Sequence, residues 1–155
     1  YHVDALMRLP FIWRPAGGTK SVSVGAPVGH LDLAPTFCEI AGIEIPDYME
    51  GQTLPISDNT VQGRDYVLTE WDSEHGPVDM HLKSIYRSDG WLCTAYDKST
   101  LYEGTEGELY NLKTDPEQRK NLWSKETQIQ RELVEAIHDS LPEARKPRLE
   151  RRAPV

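Results

Sequence analysis

Hydrophobic and polar residues alternate along the middle of the chain with a period of two. Three segments follow this pattern and are rich in aromatic and β-branched residues: 66–71, 81–87 and 91–96. Successive side chains of a strand point to opposite faces of a sheet, so this period predicts half-buried β-strands. Asp89-Gly90 separates the second and third segments and predicts a tight hairpin, because glycine accepts the positive φ angle of such a turn. Residues 109–112 predict a fourth strand.

Two other segments show the spacing of an amphipathic helix, with apolar residues every three or four positions. The first covers residues 32–41, with Asp32 as an N-terminal cap and Gly42 as a C-terminal stop. Its apolar residues are Leu33, Phe37, Ile40 and Ala41. The second runs from 126 to 141 and is ended by Pro142, since proline does not continue a helix. The second half of the chain therefore predicts an α+β unit, a small antiparallel sheet covered by a terminal helix.

The beginning of the chain predicts a piece of a larger structure. Residues 9–13 form an apolar run near the first residue, with no initiator Met before it, and this run predicts a buried strand. A strand followed by the helix at 32–41 requires a larger sheet than this chain provides. We therefore expect an incomplete protein that exposes an apolar edge when it is alone. Residues 43–64 are rich in Pro, Gly and Asp and predict a surface connection.

Composition and charge exclude several classes of protein. The chain has 155 residues, enough for one domain with a buried core. Its 17 basic and 25 acidic side chains give a formal charge of -8, which argues against a nucleic-acid partner. No apolar run approaches the roughly 20 residues of a membrane helix. Cys38 and Cys93 lie far apart and predict neither a disulfide framework nor a metal cluster, which favours a cytoplasmic protein.

Two ordered groups of residues carry a resemblance to a known family. The first reads VGHLDLAPTF at 28–37, with AGI at 41–43, Pro46 and MEGQTL at 49–54; the second reads GELYNL at 107–112, with DPE at 115–117 and NL at 121–122. In this order and spacing they resemble the C-terminal part of the sulfatases, in the alkaline phosphatase superfamily. Residues 7–12 also resemble the last core strand of that family.

The resemblance implies an α/β, alkaline phosphatase-like fragment with three parts. Residues 1–55 correspond to the C-terminal end of the catalytic core, with the end of the core sheet. Residues 56–142 correspond to a small α+β subdomain with a four-stranded antiparallel sheet and a C-terminal helix. Residues 143–155 form a basic, proline-containing tail.

The resemblance also implies the chemistry of the parent enzyme, a sulfuric ester hydrolase that uses formylglycine and calcium. The family makes formylglycine from Cys or Ser in a C-x-P-x-R type motif. Neither Cys38 nor Cys93 is followed by that Pro and Arg. We therefore assign no catalytic and no metal-binding residue here, and expect this segment alone to bind no cofactor and to be inactive. Its partners are the missing N-terminal catalytic part and a sulfate-ester small molecule.

Two other functions are compatible with the sequence. Phosphonate or phosphodiester hydrolases share this C-terminal pattern in the same superfamily. A non-catalytic interaction module belongs to a different class, and it predicts a chain that is soluble and folds cooperatively by itself. The two hydrolase interpretations predict instead that residues 1–55 are aggregation-prone or partly molten in the isolated chain.

The segment 70–81 is the candidate substrate-binding loop, because it joins two predicted strands and is rich in polar and aromatic side chains. As a hypothesis, Trp71, His75 and His81 contact the organic part of the substrate, and Lys83 lies near its sulfate or a carboxylate. A solvated acidic loop without a ligand is one alternative. The other is a metal site built from Asp72, His75, Asp79 and His81.

Overall fold

The protein contains one antiparallel sheet with a long helix packed on it and a shorter helical part before it. A computed structural model describes residues 3–14, 17, 23–54 and 64–141. Its elements are α1 (Asp4–Met7), a 3-10 helix (His30–Asp32), α2 (Leu33–Ala41), β1 (Tyr66–His75), β2 (Val78–Arg87), β3 (Trp91–Tyr96), β4 (Gly107–Asn111) and α3 (Thr127–Ser140). The predicted Pro142 stop, the boundary at residues 55 and 56, and the tail 143–155 lie outside the described residues.

The four predicted strands are confirmed, and they form a meander in the order β1-β2-β3-β4 with antiparallel neighbours. Gly90 has a φ of 96°, as the predicted hairpin between β2 and β3 requires. The predicted helix at the end of the chain is present as α3. The sheet and α3 thus reproduce the α+β unit that the sequence pattern indicates.

The prediction of a loop at 70–81 is wrong, because β1 and β2 continue through these residues. The two strands pair from Tyr66 opposite Arg87 to His75 opposite Val78, and only Gly76 and Pro77 turn between them. Gly76 has a φ of 61°, which allows this two-residue connection. Residues 72–75 at the tip of β1 are all polar, so the alternation that reveals a strand is hidden on that strand.

One face of the sheet, the helix face, is covered by α3. Its buried side chains form the main core with two residues of α3, and they are Ile85, Cys93, Ala95 and Leu109 of the sheet with Leu133 and Ile137 of the helix. Beyond α3, toward the turn at 76–77, the helix face carries Glu70, Asp72 and Glu74 of β1 with Asp79, His81 and Lys83 of β2.

The other face of the sheet, the opposite face, contacts the beginning of the chain. Met7 of α1 packs against a second core cluster of Leu92, Tyr110 and Leu112. The hydroxyl of Thr69 lies 3.5 Å from the sulfur of Met7, and the guanidinium of Arg8 lies 5.7 Å from the ring centre of Tyr86. The segment 4–8 therefore docks on the inner part of the opposite face.

The first part of the chain differs from its predicted structure. Residues 8–14 belong to no helix or strand, and Ile12 is 94% exposed. A strand needs backbone partners, and the described residues provide no neighbouring strand to 9–13. The apolar face of α2 is also open, since Phe37 is 56% exposed and Ile40 is 51% exposed. This part therefore exposes apolar side chains, and the predicted apolar edge of a sheet stays a prediction, since the described residues form no strand before Tyr66.

Asp32 links the first group of family residues instead of capping α2 with its side chain. The residue is 2% exposed, and its carboxylate accepts hydrogen bonds from the backbone N–H of Gly29 (2.7 Å) and of Gln52 (2.8 Å) and pairs with Arg64. Thr36 donates to the carbonyl of Asp32 and accepts the backbone N–H of Leu54 at 2.8 Å. These contacts hold residues 51–54 against the start of α2.

The second group of family residues closes the edge of β4. The side-chain oxygen of Asn121 accepts the backbone N–H of Leu109 (3.1 Å), and its amide donates to the carbonyl of Gly107 (3.2 Å). The ring of Trp123 lies over Gly107, where a Cβ atom would stand 2.4 Å from it. Both groups of family residues thus have structural roles, as expected from the sequence.

Candidate functional site: the β1–β2 hairpin

The hairpin places the four predicted site residues on two different faces of the sheet. Trp71 pairs with Leu82, while Asp72 pairs with His81 and Glu70 pairs with Lys83. Residues in direct register share a face, and consecutive residues alternate. Trp71 and His75 therefore lie on the opposite face, and His81 and Lys83 lie on the helix face. The structure does not bring the four together.

Trp71 is an exposed aromatic residue at the outer end of a row of buried apolar residues. Its exposed fraction is 53%. The register continues from Trp71 to Leu82 and on to Tyr96, which are both buried. The ring of Tyr96 lies 4.5 Å from that of Tyr102, centre to centre. The row across the sheet is therefore apolar and packed, with the indole at its outer end.

The acidic side chains of the hairpin are all on one face. Between residues 69 and 82 the carboxylates are Glu70, Asp72, Glu74 and Asp79, and the register puts each of them on the helix face. The opposite face of the same stretch carries Thr69, Trp71, Ser73, His75, Val78, Met80 and Leu82. The two faces of one hairpin thus differ in charge, and the face with Trp71 is free of carboxylates over this stretch.

His81 is held between two carboxylates on the helix face. Its Nδ1 lies 2.7 Å from Oδ1 of Asp72, and its Nε2 lies 3.2 Å from Oδ2 of Asp79. The hydrogen bond to Asp72, above all, raises the pKa of His81; burial lowers this pKa by a smaller amount, and the bond to Asp79 raises it further. When it is protonated, the ring donates one N–H to each carboxylate and bridges the two strands.

Asp79 connects this bridge to the turn that follows β3. The backbone N–H of Thr100 donates to its carboxylate at 2.7 Å, and the backbone N–H of Asp79 donates to the hydroxyl of Thr100 at 2.8 Å. Hydrogen bonds from the hydroxyl and the backbone of Thr100 lower the pKa of Asp79 to about 2. The carboxylate is therefore ionised under ordinary conditions and locks the hairpin to residue 100.

Lys83 is buried under the end of α3. Its side chain is 9% exposed, and its Nζ lies 2.9 Å from Oδ2 of Asp97. The same ammonium donates to the carbonyl of Leu141 at 3.1 Å. A buried ammonium is tolerated only with such partners. This geometry engages Lys83 inside the subdomain, so its predicted contact with a sulfate group stays a prediction.

The metal-site alternative is wrong for the described residues. His75 lies on the other face from Asp72, Asp79 and His81, and both ring nitrogens of His81 face carboxylates. Across residues 3–14, 17, 23–54 and 64–141, no group of three or more His, Cys, Asp or Glu side chains is arranged to hold a metal.

The cysteines do not fit a formylglycine precursor. Both are free, and burial raises the pKa of the Cys93 thiol to about 12. Cys38 lies in α2 and is followed by Glu39-Ile40-Ala41, without the Pro and Arg of the family motif. Neither calcium nor formylglycine therefore has a fitting site among the described residues.

None of the described helices is long and apolar enough to cross a bilayer.

The comparison with known proteins decides the family. Residues 1–147 match the family model described as "N-sulphoglucosamine sulphohydrolase, C-terminal". The chain belongs to the sulfatase family. It corresponds to a C-terminal segment of a sulfatase, which confirms the resemblance seen in its two ordered groups of residues.

Individual sulfatases are similar to this chain over most of its length. It is 33% identical over 128 residues to a Delta 4,5-hexuronate-2-O-sulfatase of Bacteroides thetaiotaomicron, covering 77% of this chain and 25% of the relative. An N-acetylglucosamine-6-O-sulfatase of the same organism is 28% identical over 88% of this chain and 25% of its own length. The chain thus spans about a quarter of the length of the curated relatives it matches.

A solved sulfatase structure supports the fold. The structure of a 2-O GAG sulfatase superimposes with a TM-score of 0.56 at 31% identity, covering 70% of this chain and 24% of that one. The four-stranded antiparallel sheet and its C-terminal helix are those of a sulfatase C-terminal subdomain. The predicted fold class is therefore confirmed.

Proposed function

We propose that this chain is the C-terminal part of a sulfatase that hydrolyses sulfate esters of sugars. The family match supports a sulfatase-like hydrolase. Two relatives are named for a hexuronate and for N-acetylglucosamine, which supports a sulfated monosaccharide unit as the substrate. Because the chain covers about a quarter of these relatives, the activity belongs to the longer parent protein.

In the parent, formylglycine and calcium supply the nucleophile and the neutralisation of sulfate charge. We place both upstream of residue 1, because the thiols and the carboxylates of the described residues do not fit either group. The contribution of this segment is to shape and bind. The two free thiols, Cys38 and Cys93, favour the reducing cytoplasmic compartment that the sequence predicts.

The charge difference between the two faces of the hairpin is the observation that carries the proposal for the site. A sulfate ester is an anion, and the carboxylates on the helix face repel it. The opposite face has no carboxylate between residues 69 and 82, and it is also the face on which α1 docks. We therefore propose that Trp71 and His75 form part of the wall of the substrate pocket.

In this proposal His81 and Lys83 have a structural role and do not line the pocket. His81 lies 2.7 Å from Asp72 and Lys83 lies 2.9 Å from Asp97, both on the helix face. These contacts hold the hairpin in place, and Trp71 and His75 are the residues that we propose for the pocket wall. The original prediction that His81 and Lys83 touch the substrate remains a separate hypothesis.

Sulfate release by the full-length parent tests the proposed function. The assay compares sulfated hexuronate and sulfated N-acetylglucosamine with the corresponding phosphate esters, and it includes the 155-residue chain alone. We expect sulfate release by the parent, much slower phosphate release, and no activity of the isolated chain. Faster cleavage of the phosphate esters, or sulfate release by the isolated chain, would contradict the proposal.

A matched pair of histidine variants tests the pocket wall. His75→Ala changes the opposite face, while His138→Ala changes an exposed histidine on α3, whose side chain is 55% exposed. We expect the first variant to raise KM for the sulfated sugar and the second to leave it unchanged. Equal kinetics of both variants would remove His75 from the pocket.

A further inference from the structure

We propose that Gln118 is a positioning residue of the parent sulfatase, whose side-chain amide fixes the segment 4–8 between the upstream chain and the proposed pocket wall. Its Oε1 accepts a hydrogen bond from this segment, and its Nε2 donates to a backbone carbonyl oxygen of the chain that precedes Val3. The inference rests on the proposed function, since both the upstream part and the pocket wall belong to it.

The first observation is a hydrogen bond between distant parts of the chain. The backbone N–H of Asp4 donates to Oε1 of Gln118 at 2.7 Å, and the two residues are 114 positions apart. Asp4 is the first residue of α1, and Val3 before it has an extended backbone, with φ -80° and ψ 149°. Gln118 therefore holds the chain at the point where it enters the segment 4–8.

The second observation concerns the nitrogen of the same amide. Nε2 of Gln118 is buried and has no hydrogen-bond partner among the residues that the structure describes. A buried amide nitrogen without an acceptor costs free energy, so folded proteins nearly always provide one. An extended chain presents carbonyl oxygens beside its N–H groups, and a side-chain amide can pair with both at once. We therefore place the acceptor of Nε2 in the backbone that precedes Val3.

The third observation is the backbone conformation of Gln118. Its φ is 53°, in a region that favours glycine, and no other non-glycine residue of the described chain has a positive φ. The turn that imposes this φ is held by Asp115, whose carbonyl accepts the N–H of Gln118 at 3.1 Å. The carboxylate of Asp115 accepts the N–H groups of Arg119 (3.1 Å) and Lys120 (2.9 Å). A glycine would form this turn with less strain, so the contact of the side chain is what accounts for a glutamine here.

The segment that Gln118 holds lies beside the proposed pocket wall. Met7 packs against the second core cluster on the opposite face, and its sulfur lies 3.5 Å from the hydroxyl of Thr69. Thr69 is on the same face as Trp71 and two residues before it, about 7 Å along β1. A shift of the segment 4–8 therefore changes the distance between the pocket wall and the reactive centre that we place upstream. A displacement of about 1 Å is enough to lower the efficiency of an enzyme strongly.

Variants of Gln118 in the full-length parent enzyme test this role. Gln118→Met removes both hydrogen bonds and keeps the length of the side chain. Gln118→Glu keeps an oxygen for the N–H of Asp4 but removes the Nε2 donor. Gln118→Gly removes the whole side chain and favours the backbone conformation of the turn. Glu117→Gln is the matched control, since Glu117 precedes Gln118 in the same turn and its side chain is 64% exposed.

The measurements are kcat and KM for sulfated hexuronate or sulfated N-acetylglucosamine, whichever the wild type hydrolyses faster, and the urea midpoint of each variant. Together they separate positioning from stability. Partial unfolding reduces the number of active molecules and lowers the apparent kcat at an unchanged KM, whereas a displaced pocket wall raises KM.

We expect Gln118→Met and Gln118→Gly to raise KM about five- to twenty-fold, with kcat within about two-fold of the wild type. Gln118→Glu should raise KM about two- to five-fold, because it retains one of the two hydrogen bonds. Gln118→Gly should have a urea midpoint at least as high as that of Gln118→Met, since glycine adopts the positive φ without strain. Glu117→Gln should keep the KM of the wild type.

Two results would overturn the inference. A wild-type KM in both Gln118→Met and Gln118→Gly, with or without a lower kcat, would mean that the amide serves stability alone. A wild-type KM in Gln118→Glu would mean that Nε2 has no acceptor in the chain before Val3. Gln118→Glu has the size of the natural side chain, so it decides the outcome if the other two variants do not fold. A failure of the proposed function looks different, since the wild-type parent would then release no sulfate from either sugar.

Discussion

Asp72 and His81 face each other across the β1–β2 ladder, with Oδ1 of the first residue 2.7 Å from Nδ1 of the second. This pair stands at the point where the sequence alone predicts an irregular loop. It shows that polar residues near the tip of the hairpin interact across the strands. It also separates the functions of the two faces, since the bond braces the helix face and leaves the opposite face open.

The bond predicts a pH-dependent stability. The pKa of His81 is raised in the folded protein, chiefly by Asp72, above an ordinary value of about 6.5. The folded state therefore binds the proton more tightly, and the stabilisation is complete below the unfolded pKa and is lost as pH rises through the folded one. We expect a contribution below about 1 kcal/mol, because the pair is partly exposed and screened.

Urea unfolding between pH 5 and pH 9 measures this contribution, with tryptophan fluorescence as the signal. His81→Gln should be less stable than the wild type at the acidic end, and the difference should shrink as pH rises. Glu117→Gln is the control, as its side chain is 64% exposed and lies in a turn remote from the hairpin. A difference between His81→Gln and wild type that grows with pH would reverse the sign and refute the prediction.

The buried pair of Lys83 and Asp97 should matter for the stability of the protein more than for its activity. Lys83→Met keeps the apolar stem but removes the ammonium that pairs with Asp97 at 2.9 Å and donates to the carbonyl of Leu141. We expect the free energy of unfolding to fall by about 1–3 kcal/mol, because a buried polar group is left without its partner. The double variant with Asp97→Asn should recover part of the loss.

Kinetics of the same variant in the full-length enzyme distinguish the two roles considered for Lys83. If the residue holds the end of α3, KM for a sulfated sugar changes little at a temperature where the variant is folded. A large rise in KM with unchanged stability would instead support the sequence-based hypothesis that Lys83 contacts the sulfate group.

The surroundings of Gly107 in β4 leave no room for a side chain. A Cβ atom there would stand 2.4 Å from the ring of Trp123 and 2.5 Å from the carbonyl oxygen of Thr94. Gly107→Ala should therefore lower the free energy of unfolding by about 1–3 kcal/mol through overpacking. Gly25→Ala is the matched control, because a Cβ at Gly25 meets no atom within 4 Å.

Chemical denaturation of the two variants, under one set of conditions, checks this difference. The control should stay within about 0.5 kcal/mol of the wild type. An alanine at 107 that is tolerated as well as the alanine at 25 would show that Trp123 moves away easily, and that the second group of family residues does not depend on a bare backbone at this point.

The sequence by itself determined the elements with strong local signals and the family. Asp89-Gly90 and the alternation in 91–96 were enough to predict a hairpin and β3, and the regular apolar spacing in 126–141 was enough to predict α3. The two ordered groups of residues were enough to identify a sulfatase C-terminal segment, and in this structure Asp32, Gly107 and Asn121 of these groups make contacts that hold the fold.

Only the tertiary structure decided which side chains meet. The length of β1 and β2, the separation of Trp71 and His75 from His81 and Lys83, and the burial of Lys83 under Leu141 all follow from the pairing register and the position of α3. The apolar run at 9–13 illustrates the same limit, because it forms a strand only where another strand pairs with it. A local pattern records the preference of a segment, whereas register and burial depend on contacts with residues far away along the chain.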